Sequence, residues 1–382
     1  MPDSLEIDAS GRIFGIAEDE GNHSMRIEVE DSLGAKGRGT FYLVIGQNPV
    51  NPVTGLIACA SDGKVGLAWK NPFDFRFRGV RLLRKTGAYS LDSDDGVIVF
   101  EGMADNIVDS STKNGTTYYY TAFAYDNKDN FSMAVPTSRA SAAPGEVRLS
   151  GTNDPFADEV VEFSPLSGGG YGCWWMPRGV LGPPSGGGIW QGSVNVVSLH
   201  AKENTDDGAS EPYGGSITLK FNDNIVVNGP GVDLTIFENV FYASGNSEDR
   251  FIEPAVVSVS QDGIVFYEFP FDYIPHYDAQ GNINHRNPYS YAMGFAGVNA
   301  VLSNGIFPDP TDPRFSGGDS FDLSDLPGVN LSWVRYVRIT STGDNWLTDI
   351  NGDKVRHIKE TSACNGSGKS GFDLDAVSAV HY

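Results

Sequence analysis

The sequence predicts an all-β protein of several modules, and three observations carry that reading. Apolar and polar residues alternate at period two in run after run, as at Ile217, Leu219 and Phe221 or Val65, Leu67 and Trp69. The 46 Gly and 21 Pro stand beside 16 Tyr, 22 Phe and 6 Trp, the composition of many turns joined by aromatic-rich strands. Helix-type apolar spacing is nearly absent, and 382 residues are too many for one small core.

The formal net charge of −22 repels phosphate backbones, which argues against nucleic acid as a partner. The densest basic cluster, Arg76, Arg78, Arg81, Arg84 and Lys85, alternates with Phe75, Phe77, Val80 and Leu82 and so reads as a solvated strand face. No apolar run approaches the roughly 18 residues that span a bilayer, so membrane insertion is not expected. Met1-Pro2-Asp3-Ser4 lacks the basic and apolar pattern of a leader, which suggests a removed leader or a piece of a longer chain.

Three modules follow one another. In residues 1–48, Leu5 and Ile7 alternate, Gly11 turns, Ile13 and Gly15 follow, and two further strands flank Asp31-Ser32-Leu33-Gly34. This pattern resembles the later half of the Ig-like, cadherin-like repeats of bacterial surface proteins, with the first strands of the repeat missing. A sandwich short of its first strands leaves an open sheet edge that a strand donor or a neighbouring copy completes. In residues 52–143, Trp69 closes an alternating strand, Asn71-Pro72 breaks it, and Asn114-Gly115-Thr116-Thr117 leads into an aromatic strand from Tyr118 to Tyr125. This segment resembles a fibronectin type III domain, whose role is that of a spacer. Pro136 to Pro144, rich in Ser and Ala, reads as a linker. Residues 145–382 hold about ten strand-like runs separated by Gly and Pro, a length suited to a jelly-roll-like sandwich. Together these make tandem Ig-like β-sandwiches followed by a larger jelly-roll-like β-sandwich.

The third module carries Gly229-Pro230-Gly231-Val232-Asp233, Phe237-Glu238-Asn239, Glu253-Pro254-Ala255, Gly317-Gly318-Asp319-Ser320-Phe321-Asp322-Leu323 and a final Gly371-Phe372-Asp373-Leu374-Asp375-Ala376-Val377. These blocks resemble an uncharacterised β-sandwich domain of bacterial cell-surface proteins, which implies surface association and no particular activity. Within Gly215 to Asn239, two half-buried strands are expected to flank one tight Gly-Pro-Gly reversal.

Asp233, Glu238, Glu253, Asp319, Asp322, Asp373 and Asp375 sit in or beside apolar strand residues, where an uncompensated charge is costly. A hard cation, Ca2+, is the expected partner of these oxygens, because it takes six to eight of them from carboxylates, amides and carbonyls. Spacing of two places Asp373 and Asp375 on one side of a strand. The competing reading is that each caps a turn by accepting from backbone amides. Asp349-Ile350-Asn351-Gly352-Asp353 echoes the opening of an EF-hand loop, but its glycine comes too early and the sequence reads as a turn.

Trp174, Trp175, Trp190 and Trp346 fall in loops. Exposed, such rings stack on sugar faces; buried, they pin the loops that carry them. Of three cysteines, Cys173 and Cys364 lie in glycine-rich loops of one module and are the expected disulfide, with Cys59 a buried free thiol in an apolar strand. Gly318-Asp319-Ser320 superficially echoes the nucleophile block of GDSL-type hydrolases, but no late Asp-x-x-His supports it, and no Gly-x-Ser-x-Gly elbow, His-Glu-x-x-His helix or phosphate loop occurs.

The expectation is therefore a non-catalytic protein of the bacterial cell surface or extracellular space, which binds a glycan or a surface protein through a Ca2+-stabilised last module. Two alternatives stand beside it. One is a filament or pilus subunit completed by strand addition, and the other is a glycan-cleaving hydrolase with Glu238 and Glu253 as its carboxyl pair.

Overall fold

The computed structural model describes residues 5–8, 13–15, 21–30, 32–45, 49–145, 154–166, 170–199, 214–284, 287–342, 347–355 and 371–382. Their regular structure is β-strand and short 3-10 turns, so the chain is all-β, and no helix among them is long and apolar enough to cross a membrane.

The first stretch forms two hairpins, Leu5–Ile7 with Ile13–Gly15 and Gly21–Glu30 with Lys36–Ile45. Lys36 and Arg38 pair with Glu28 across the second hairpin, while Val29 and Leu33 face solvent. Among the described side chains, no buried apolar cluster forms before Val50.

The next stretch is a sandwich of three strands on four. Thr54–Ser61, Lys64–Lys70 and Asn106–Asp109 form one sheet; Arg139–Ala142, Tyr118–Asp126, Phe77–Thr86 and Val97–Gly102 form the other, in those orders. Alternation decides what lies between them: Val65, Leu67 and Trp69 meet Val80, Leu82, Tyr118, Tyr120, Ala122 and Ala124. The indole of Trp69 donates to Asn71 Oδ1 at 3.0 Å, satisfying the only polar atom of that ring. The expected linker from Pro136 to Pro144 is for the most part structure. Pro136–Ser138 is a 3-10 turn and Arg139–Ala142 is the sheet's edge strand, because the small residues Ala140 and Ala142 fit against the core.

In the last stretch one sheet has the order Glu159–Ser164, Ser216–Lys220, Tyr336–Ser341, Ala255–Ser260, Tyr267–Glu268, with Phe295–Ala296 also on Ala255–Ser260. A second sheet runs Asp319–Phe321, Leu234–Phe237, Ala376–Ala379. Ile217, Leu219, Val257, Val259, Val337 and Ile339 from the first share a core with Leu234, Ile236, Phe321, Val377 and Ala379 from the second. The two strands expected to flank a single Gly-Pro-Gly reversal therefore lie in different sheets. Between them Val226–Val227 pairs with Trp333–Val334, and the chain crosses from one layer to the other.

These two sandwiches are not beads on a string. Strand Glu159–Ser164 lies against the Thr54–Ser61 and Lys64–Lys70 strands: Asp62 N donates to Val160 O at 3.2 Å and Lys64 pairs with Glu162 at 2.7 Å. A Cβ on Gly66 would stand 2.0 Å from the Phe163 carbonyl oxygen, so only glycine allows this approach. Cys59 is buried in the core of the last stretch and is disulfide-bonded to Cys173, with Cα atoms 5.0 Å apart. This corrects both cysteine expectations. Cys59 is not a free thiol, and the partner of Cys173 is not Cys364, which lies outside the described residues. The reason is the shared core, which brings a strand of one sandwich to a loop of the next.

Candidate metal centre and binding groove

Three of the seven predicted carboxylates come together. Glu238, just past strand Leu234–Phe237, Glu253, just before Ala255–Ser260, and Asp373, on Asp373–Leu374, each place an oxygen within 4.8 Å of the other two. Strand pairing fixes this convergence. Phe237 faces Ala376 across the smaller sheet, Asp375 N donates to Phe237 O at 2.9 Å, and Asp373 faces Ser198 on the Val197–Ser198 strand. Gly297, at φ +83°, lets the next loop close over the site, since a Cβ there would meet Glu253 O at 2.3 Å.

Glu238 is 1% exposed and Glu253 5%. Backbone amides hold part of each: Asp373 N donates to Glu238 Oε1 at 3.0 Å and Gly371 N to Glu253 Oε1 at 2.7 Å. Asp373 accepts from the Ser198 side chain and, at 3.2 Å, from Asn239 Nδ2. Two buried acceptors are left over, Glu238 Oε2 and Asn239 Oδ1, with no hydrogen-bond partner among the described residues. Burial, then the charges of Glu253 and Asp373, push the Glu238 carboxyl well above its usual range, and burial lifts Asp373 to about 6. Three clustered carboxyls, with a buried Glu238 oxygen left over after the amides are counted, are the chemistry of a hard-cation site, and Glu238, Glu253 and Asp373 would hold the ion.

The other four carboxylates do what the turn-capping reading describes. Asp233 accepts from Gly229 N and Leu323 N, tying the Gly-Pro-Gly loop to the Leu323–Asp325 turn. Asp319 accepts from the amides of Gly297, Val298 and Asn299 and from Asn299 Nδ2. Burial nevertheless holds its carboxyl up at about 6. Asp322 caps its own turn through Ser324 N. Asp375 accepts from Ser185 N and Oγ, both at 2.8 Å, and burial raises it to about 7. Asp373 and Asp375 thus serve different partners, because the chain changes its neighbouring strand between Leu374 and Ala376. Asp349 accepts from Asn351 N and Asp353 N, the turn expected there.

Asp375 also borders a groove of about 690 Å³ lined by Trp174, Trp175, Arg178, Asn195, Ser185 and the connecting residue Gly145, among others. Trp174 is 62% and Trp175 46% exposed, and they meet edge to face at 6.2 Å, so these rings do not merely pin their loop. Trp190 is exposed too, but stands against Tyr242 away from the groove lining, and Trp346 lies outside the described residues. Of the residues that hold these carboxylates, Asn239 stands in the Phe237-Glu238-Asn239 block, while Ser198 and Ser185 carry no pattern that marks them as partners. Searched against protein-family models and curated proteins, the chain matches none.

Proposed function

We propose that this chain is a non-catalytic extracellular binding protein of the bacterial cell surface. Its last sandwich is stabilised by Ca2+ at Glu238, Glu253 and Asp373 and takes a glycan in the Trp174 and Trp175 groove. The observation that carries the reading is the pair of buried, unpartnered oxygens, Glu238 Oε2 and Asn239 Oδ1, beside three converging carboxylates. A buried carboxylate oxygen left without a partner is costly, and a bound divalent ion converts that cost into a constraint on the fold. The constraint reaches the groove, because Asp373 and the groove residue Asp375 belong to one short segment. Exposed indoles beside Arg178, Asn195 and Asp375 offer stacking faces and hydrogen-bonding groups of the kind that sugars use.

The Cys59–Cys173 bond supports an oxidising compartment, and the net charge of −22 suits one rich in divalent cations. The three-on-four strand arrangement of the middle sandwich supports its likeness to fibronectin type III spacers. Hydrolysis by Glu238 and Glu253 is disfavoured, because carboxyls this deeply buried give a glycosidic bond no approach. Glycan-array screening of the full chain in Ca2+ and in chelator tests the reading. Saccharide binding without turnover, lost in chelator, is expected; turnover, or no saccharide ligand in either condition, counts against it.

A further inference from the structure

We propose that Asp154, Asp158 and Asp223 form a second divalent-cation site, of Ca2+ type, where the last sandwich begins. Each offers a carboxylate oxygen within 4.8 Å of the others, although Asp223 is distant in sequence and arrives only because strand Glu159–Ser164 pairs with Ser216–Lys220. Two independent observations point to a ligand. Asp158 is 1% exposed; its Oδ2 accepts from Asn222 N at 2.6 Å, while its Oδ1 is buried and has no hydrogen-bond partner. Asn224, 7% exposed, donates through Nδ2 to the Asp154 carbonyl oxygen, which leaves its own Oδ1 buried and likewise unpartnered.

Lys220, on the strand that leads to Asp223, turns its Nζ to Glu159 Oε2 at 3.4 Å. The clustered donors are three carboxylates, with Asp223 exposed and Asp154 half-buried so that water could complete the shell, and the unpartnered Asn224 Oδ1 offers a further oxygen on the same turn. Three carboxylates in one cluster suit Ca2+ better than Mg2+, which dehydrates reluctantly and usually takes only one or two carboxylates. An ion here would clamp the first strand of the module, Glu159–Ser164, to the turn after Ser216–Lys220. That strand is the one packed on the middle sandwich, so the clamp would stiffen the joint between the two.

The test is the number of Ca2+ ions bound per full chain, by equilibrium dialysis with radioactive calcium and by calorimetry. Asp223→Ala, at an exposed position, and Asp158→Asn are each expected to bind one ion fewer than the wild type where circular dichroism shows them folded. Glu238→Gln, aimed at the other centre, is expected to leave the Asp223-dependent ion in place, which separates the two sites. An Asp223→Ala chain that binds as many Ca2+ ions as the wild type overturns the proposal, as does an Asp223-dependent site that takes Mg2+ in preference to Ca2+.

Discussion

Glu238→Gln separates a cation site from an ordinary buried hydrogen-bond network, because the two predict opposite effects in chelator. The substitution keeps the side chain's size and an oxygen for Asp373 N, and removes one of three clustered carboxyls whose neighbours Glu253 and Asp373 repel it. Without an ion that relief leaves the variant at least as stable as the wild type. With an ion it costs a ligand. An ion at about 100 times its Kd stabilises by about 2.7 kcal/mol, and a variant that binds about a hundredfold more weakly retains about 0.4 kcal/mol. The lost ~2.3 kcal/mol corresponds to about 5–9 °C in Tm for a sandwich of this size. Melts of both chains in saturating Ca2+ and in chelator read the effect, and the Asp154 site drops out of the comparison because both chains keep it. Equal destabilisation in both buffers, or an undiminished Ca2+ gain in the variant, would refute the metal centre.

Other expectations follow from the same geometry. Trp174→Ala with Trp175→Ala is expected to weaken saccharide binding by at least about tenfold with Tm unchanged, read by titration calorimetry, since exposed rings contribute to ligand contact and little to the core. Replacing Cys59 and Cys173 by Ser is expected to cost about 2–5 kcal/mol in denaturant unfolding, and non-reducing peptide mapping of the wild type to link those two cysteines. Gly66→Ala forces a Cβ onto the Phe163 carbonyl and is expected to cost about 1–3 kcal/mol, with faster proteolysis between the sandwiches. Burial raises the Asp109 carboxyl, but Ser111 and Arg84 outweigh it and leave its pKa depressed. Its contribution is therefore present above the unfolded value of about 3.9 and lost as pH falls through the folded value, so Asp109→Asn is expected to flatten the acid limb of the stability profile.

How far the site was legible in the sequence depends on what a strand pattern encodes. Period-two alternation marks which residues face a core, so the all-β class and the place of Glu238, Glu253 and Asp373 in or beside apolar strand residues could be read directly. It does not say whether a buried carboxyl meets an amide or another carboxyl. Asp375 looks like Asp373 in sequence, yet Ser185, 190 positions away, satisfies it. Asp319 resembles Glu253, yet three consecutive amides close around it. The misassigned cysteine follows from the same limit, since Cys59 belongs by sequence to one sandwich and by packing to the next. Asp154, Asp158 and Asp223 gave no sequence signal as a group, because only the pairing of Glu159–Ser164 with Ser216–Lys220 makes them neighbours.

The groove lies where a loop of the last sandwich is bonded to a strand of the middle one. Its tryptophan wall follows directly from Cys173, which is bonded to Cys59 on a strand of that sandwich. Its other wall includes Asp375, two residues from the candidate cation ligand Asp373 and anchored by Ser185. One wall is thus tied to the middle sandwich by a covalent bond, and the other lies two residues from the candidate metal centre. A ligand in the proposed groove would meet surfaces whose ordering cost is met during folding, which would raise affinity without a single additional contact. Reduction and chelation should accordingly each weaken saccharide binding while the indoles stay in place, and their effects should add if the walls move independently. A loss under both treatments no greater than under one would mean that the walls move together as one body.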